Sequence, residues 1–307
     1  MMAAGTSAHS SLLSWVLPNA VQERLRNWRW QYQLTGIRAK LVRQDLPPGV
    51  PPDQLRRQLA EAGFPLRPFS ISPQAITRYV DQAGYARRSY YDSGRAPNAV
   101  EKYLEHYVAL TLLQLSDQEV YIDVASDTSP LSDIARELKG VHAYQQDYAY
   151  PDGMRGNRIG GDACALPLPD GFADAMSLTC SYEHFEGDRD MAFLCEAERV
   201  LAPGGRLCIL PLYLSSTYHI RTNPSLDITG LVFDDQAVVC CRRDVHVRHA
   251  RQYDVANLLS RVASHRGALA MELYEIVDAA SVDPSCYLRY AALFRKAESE
   301  TISGAVR

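Results

Sequence analysis

The sequence predicts an α/β fold on a doubly wound, mostly parallel sheet, and three observations predict it. Two apolar runs, Ala173 to Cys180 and Arg206 to Leu212, flank a stretch in which Met191, Phe193, Leu194, Ala197, Val200 and Leu201 recur at helical spacing. Strand, helix, strand is the parallel crossover unit, because parallel neighbours need a connection long enough to return over the sheet. Earlier in the chain Val120-Tyr121-Ile122-Asp123-Val124 reads as another strand, followed by the helical pattern LSDIARELKG. Pro203-Gly204-Gly205 stops the helix before the second run, since proline and glycine cannot carry it on.

Composition narrows the class. At 307 residues one large domain plus a smaller appendage fits the usual size range. Lys and Arg number 32 against 36 Asp and Glu, a near balance that gives no reason to expect nucleic acid as a partner. Seven cysteines at irregular spacing, with no C-x-x-C pair, read as buried reduced thiols in a cytoplasmic protein. No apolar run approaches the ~20 residues of a membrane span, and the N-terminus lacks the pattern of a signal peptide.

Residues 1–97 read as a helical N-terminal extension or cap, and 98–307 as the main domain. Val16 to Arg43 interleaves Arg24, Arg26, Arg29, Arg38, Lys40 and Arg43 with Trp28, Trp30 and Tyr32, and Asn19 is a plausible N-cap. Such a segment either packs its tryptophans on the main domain or makes peripheral contact with an anionic membrane, through residues 16–43. The prolines of 46–52 make a rigid linker. Asp53 then caps a helix closed by Gly63, and Ser72-Pro73 opens another through about Ala83. A helix from Asn98 to Leu115 keeps Val100, Leu104, Tyr107, Val108, Thr111 and Leu112 on one face.

Gly161-Asp162-Ala163, Leu166-Pro167-Leu168-Pro169-Asp170-Gly171-Phe172-Ala173-Asp174 and Glu196 to Leu207, with Arg199-Val200-Leu201 and Pro203-Gly204-Gly205-Arg206-Leu207, resemble the class I S-adenosylmethionine-dependent methyltransferases, the broad type 11 group in particular. The close match covers about residues 119–213. The resemblance implies a Rossmann-like seven-stranded sheet, and S-adenosyl-L-methionine as cofactor.

It also implies roles. The family's Asp/Glu-x-Gly-x-Gly-x-Gly signature falls on Asp123, with Ala125, Ser126 and Ser129 in place of glycines, so the loop after the first strand either still holds the cofactor or has lost it. Asp147, at the end of strand Val141 to Asp147, stands where the family grips the ribose hydroxyls, or is a solvated strand-end acid. Asp162 and the N–H of Ala163 stand where the adenine is held. Cys180 ends the fourth strand beside the methyl donor, while Asp174, at that strand's start, reads as structural. Glu183 and His184 follow: an imidazole suits proton removal from an acceptor hydroxyl near neutral pH, with Glu183 or Glu186 setting its tautomer, unless the pair merely caps the next helix.

Tyr213 to Asp254 is long for a loop in such a domain and leaves the sheet at its ligand edge, so it reads as a lid. With the N-terminal ~115 residues it would roof the site of a small-molecule or glycan-type acceptor, probed first as a hydroxylated one. Two function classes stand: a methyltransferase, or a catalytically inactive binding or scaffold protein of the same fold.

Overall fold

The computed structural model describes residues 18–37, 41–43, 45–47, 49, 51–88 and 99–298. Met1 to Ser14, Arg38, Lys40, Asn98 and the end of the polar tail lie outside these residues. In chain order the elements are α1 (Asn19–Gly36), β1 (Leu41–Arg43), α2 (Pro52–Glu61), β2 (Leu66–Phe69), α3 (Pro73–Ala83), α4 (Ala99–Leu113), β3 (Val120–Val124), α5 (Leu131–Lys139) and β4 (His142–Asp147). There follow β5 (Gly153–Arg155), β6 (Arg158–Gly160), β7 (Ala173–Thr179), α6 (Arg189–Val200), β8 (Leu201–Leu210), β9 (His219–Thr222), β10 (Val238–Cys241), β11 (Ala250–Gln252), α7 (Val255–Asn257), β12 (Ala270–Ile276), α8 (Ala279–Val282) and β13 (Tyr290–Arg295).

The main sheet runs β2-β12-β13-β8-β7-β3-β4-β6-β5, nine strands where seven were expected. The inner seven, β12 to β6, are the doubly wound sheet, with β13 antiparallel to both its neighbours. The two extra strands are edges. β5 folds back on β6 as a hairpin made from the insertion after Asp147, and β2 pairs in parallel with β12. Residues 52–88 are therefore not a purely helical cap, because Leu66 to Phe69 extend the sheet.

Helices cover both faces. On one, Phe193, Leu194 and Ala197 of α6 pack with Leu55 and Leu59 of α2 against Ile122, Met176 and Leu207. On the other, α3, α4 and α5 bury Ile76, Leu104, Val108 and Ile134 against Tyr121, Ala175 and Cys208. Alternate residues of one strand thus feed opposite cores, as the two-residue side-chain period requires of a sheet buried on both sides.

Local signals held unevenly. Ser72 caps α3, its hydroxyl accepting from the Ala75 N–H, and Gly84 ends it in the left-handed region (φ 63°). Asp53 is not a cap: α2 starts at Pro52, and Asp53 pairs with Arg56 instead (2.6 Å). Nor is Asn19 the cap of α1, which begins there after Pro18. Pro203-Gly204-Gly205 lies inside β8, and a Cβ at Gly205 would meet the Ala202 carbonyl at 2.7 Å. Asp174 is structural, Oδ2 accepting from the Val120 N–H (2.8 Å) and so tying β7 to β3.

The stretch 213–254 is not a simple loop. It folds β9, β10 and β11 into a second sheet, ordered β1-β10-β9-β11, whose first strand comes from the N-terminal segment. Among the described residues no helix is long and apolar enough to cross a membrane.

Candidate active site

In an open parallel sheet the ligand crevice forms beyond the carboxyl ends of the strands, where the winding reverses. Here that point lies between β3 and β7. A cleft of about 790 Å³ opens there, and four strand ends supply it: Ala125 and Asp127 after β3, Gln146 and Asp147 of β4, Gly161, Asp162 and Ala163 after β6, and Ser181 and His184 after β7. The facing wall is His246, Val247, Arg248 and His249 of the insertion.

The loop after β3 keeps its conformation without glycines. Counted from Asp123, the signature's first two glycine positions are Ala125 and Asp127, and both adopt the left-handed backbone, φ 51° and 45°. Neighbouring strands hold them there. Gln146, buried, accepts from the Ala125 N–H through Oε1 (3.1 Å) and donates to the Gly161 carbonyl through Nε2 (2.7 Å), so one side chain joins two cleft loops. Asp147 Oδ2 accepts from the Asp127 N–H (2.9 Å) and Oδ1 from the Ala149 N–H (2.8 Å), which leaves each oxygen a further acceptor position.

Asp162 borders the cleft half-exposed, Oδ1 accepting from the Cys164 N–H (2.9 Å) and pairing with Arg189. Against the upward pull of partial burial, that N–H and the guanidinium hold its carboxyl below the usual range.

His184 Nδ1 lies 2.6 Å from the His249 carbonyl. A carbonyl only accepts, so the proton sits on Nδ1 and the Nε2 lone pair is free. His249 answers in kind, its Nδ1 donating to the Glu183 carbonyl (3.2 Å), while burial holds its own pKa down at about 3. The Glu183 carboxylate faces His184 from the other side, Oε1 3.6 Å from Nε2. Neither Glu183 nor Glu186 sets the tautomer, contrary to expectation, since the insertion's backbone does so and Glu186 is spent on Arg248 (2.6 Å). The pair does not cap α6 either, which follows Asp188.

The structure thus brings Ala125, Asp147, Asp162, Ala163 and His184 to one cleft and leaves four expected residues off its lining. Asp123 is fully buried, and burial pushes its carboxyl up to about 7 against the pull of the Ser129 and Ser177 hydroxyls. The hydroxyl of Ser126 is buried without a partner, and its N–H is taken by the Gln146 carbonyl (2.9 Å). Glu183 lies behind His184 with Oε2 unpartnered.

Cys180 turns away, its thiol donating to Glu105 of α4 (3.0 Å). It belongs to a second polar group in which Lys102 also holds Glu105 (2.9 Å), the Tyr287 hydroxyl lies 3.7 Å from the thiol, and the rings of Tyr213 and Tyr287 stack at 6.5 Å. Burial pushes the Glu105 carboxyl up to about 7, with Lys102 pulling against it.

Sequence reasoning missed Asp127, Gln146, Arg189 and His249. Asp127 was legible from the glycine spacing; the others act through partners far away in the chain.

Residues 109–209 match the family model described as "Methyltransferase domain". A demethylmenaquinone methyltransferase of Thermus thermophilus is 35% identical over 101 residues, 29% of this chain, and the chain spans just 45% of that relative's length. Solved structures that are similar include a Burkholderia thailandensis 1,6-didemethyltoxoflavin-N1-methyltransferase with bound 1,6-didemethyltoxoflavin and S-adenosylhomocysteine, 14% identical, covering 76% of this chain and 93% of that one at a TM-score of 0.43. An S-adenosylmethionine-dependent methyltransferase from Mesorhizobium loti is 14% identical, covering 62% and 98% at a TM-score of 0.41. The matched residues carry the cleft from its first loop to the base of α6, and over this third of the chain the protein is similar to S-adenosylmethionine-dependent methyltransferases.

Proposed function

We propose that this protein is an S-adenosylmethionine-dependent methyltransferase that acts on a small hydroxylated acceptor or a glycan. One observation carries the reading: four parallel strand ends bring Asp147, Asp162 and an imidazole with a free Nε2 into one cleft. The cleft's volume of about 790 Å³ lies within the roughly 300–1,000 Å³ of small-molecule sites. Asp147 has acceptor positions to spare for a vicinal diol, and Asp162 with the Ala163 N–H offers an acceptor and a donor to an adenine edge. When bound, the cofactor supplies an electrophilic methyl group.

The chain's own residues do the rest. Ala125 and Asp127, held by Gln146 and Asp147, keep the first loop's backbone close to the cleft. His184 takes the acceptor's proton at Nε2, and the Glu183 carboxylate beside it steadies the imidazolium that results. The scaffold reading draws support from Cβ atoms at positions 125 and 127, yet the backbone there keeps the form that glycine would take.

The test separates binding from chemistry. His184→Ala should lower turnover by about 10²–10⁴-fold, the usual contribution of a placed base, while calorimetry with S-adenosylhomocysteine gives an unchanged affinity. Asp162→Ala should instead weaken that affinity by roughly 1–3 kcal/mol. A wild-type chain that binds no S-adenosylhomocysteine at millimolar concentration would sink the enzyme reading.

A further inference from the structure

Helix α1 presents two faces. Its inner face is fastened: Trp30 is buried, the Arg243 guanidinium lies 4.8 Å over the Trp30 ring, and the Ile228 N–H donates to Gln33 Oε1 (3.3 Å). Its outer face carries Val21, Leu25, Trp28 and Tyr32 at i, i+4, i+7 and i+11, a single stripe. These side chains are 39%, 50%, 64% and 67% exposed, and Trp28 stacks on Tyr32 at 5.5 Å. The stripe continues across the insertion, where Val232 (70% exposed) lines one groove of about 610 Å³ together with Tyr32.

The charged side chains that flank the stripe on α1 are basic, while the exposed Asp235 stands across the groove beside Val232. At 100° per residue Arg24 and Arg29 each fall about 70° from the middle of the stripe, on opposite sides, and among the described residues neither lies within ion-pair distance of a carboxylate. Glu23, the one acid in α1, falls roughly 160° round from Leu25, away from the stripe. An exposed aromatic and aliphatic row between two arginines complements a surface that is apolar inside and anionic outside, which is the interfacial zone of a bilayer with acidic headgroups. A second copy of the chain fits poorly, since a two-fold contact would bring the same arginines together.

We propose that the outer face of α1 docks the protein on membranes containing anionic phospholipid, with Leu25, Trp28 and Tyr32 at the headgroup boundary and Arg24 and Arg29 on the phosphates. This goes beyond the reading of the cleft and does not depend on it.

The test is sedimentation of the full chain with vesicles of phosphatidylcholine, alone or partly replaced by phosphatidylglycerol. The wild type should sediment with the mixed vesicles and stay in solution with the neutral ones, and salt should release it. Arg24→Gln and Arg29→Gln should each lower the partition coefficient by about fivefold, and Leu25→Asp with Trp28→Asp should abolish sedimentation, with melting temperature and S-adenosylhomocysteine binding unchanged. Absence of sedimentation with the mixed vesicles overturns the proposal, as does sedimentation that the double variant leaves intact. A wild type that is dimeric in solution and monomeric as the double variant overturns it too, by assigning the stripe to a second copy.

Discussion

Ala125 and Asp127 hold a backbone that L-residues adopt at a cost of roughly 1–2 kcal/mol each, because Cβ crowds the following carbonyl. Glycine removes that cost but frees the unfolded chain by about 0.4–1 kcal/mol, so relief wins by a small margin. Ala125→Gly should therefore raise the melting temperature by about 1–2 °C without weakening S-adenosylhomocysteine binding; a lower melting temperature would mean that the methyl group packs productively. Beneath the loop, burial raises the Asp123 carboxyl to about 7 against ~4 in the unfolded chain. The protonated form is thus favoured in the fold, and its contribution is lost as pH rises from ~4 through 7. Asp123→Asn should then change stability little at pH 4 and raise it at pH 8, measured by denaturant titration; an equal effect at both pH values would refute the linkage. Asp147, Asp162 and His184 were legible because each follows a strand whose pattern is local. Gln146 and His249 were not, since a glutamine that bridges loops at 125 and 161 looks in sequence like any strand polar residue.

At the scale of elements, the insertion is tied to the body by buried charge. Asp190 of α6 accepts from Arg261 (2.6 Å) and the Tyr253 hydroxyl (2.6 Å) and lies 3.2 Å from Arg251, which also donates to the Phe185 and Gly187 carbonyls on the loop that carries His184. Burial alone would raise the Asp190 carboxyl, but Arg261 and Arg251 hold it below the usual range. Asp190→Asn leaves both guanidiniums short of a counter-charge and should lower stability by about 3–5 kcal/mol in denaturant titration. A loss under 1 kcal/mol would show that Asp234, near both arginines, suffices. The crossover units of the main sheet were readable because long periodic segments carry them. The second sheet was not: its strands are three or four residues long, and β1 is separated from its partner β10 by about two hundred residues, so periodicity had nothing to register.

For the whole molecule, two sets of buried groups oppose each other in acid. His106 and His249 are held neutral by burial, with pKa values lowered to about 3, so their contribution is present above ~6.5 and falls away below it as the unfolded imidazoles charge. Asp123 and Glu105, both raised to about 7, act in the other sense and gain from falling pH until ~4. Between pH 6.5 and 4 the melting temperature should therefore stay nearly level, then drop steeply below ~4, where Asp162 and Asp190 also begin to lose their ion pairs. A steady decline starting at pH 6.5 would show that the imidazoles dominate. Fold class and the central strands β3, β4, β7 and β8 were legible at this scale; the three-residue β6 and the edges β2 and β5 were not, since each is completed by distant or hairpin pairing rather than by a pattern of its own.

The pairings Leu41↔Val238 and Leu66↔Leu273 also set an order of events during synthesis. The first seventy residues leave the ribosome with no strand to join until about two hundred more have followed, which at ~5–20 residues per second is roughly 10–40 s. Through that interval Trp30 lacks the insertion it packs on, and Leu55 and Leu59 lack the closing strands of their core. The amino-terminal layer is then the last part of the nascent chain to lock, and a chaperone that protects it would raise the yield of folded protein more than one acting on the central strands.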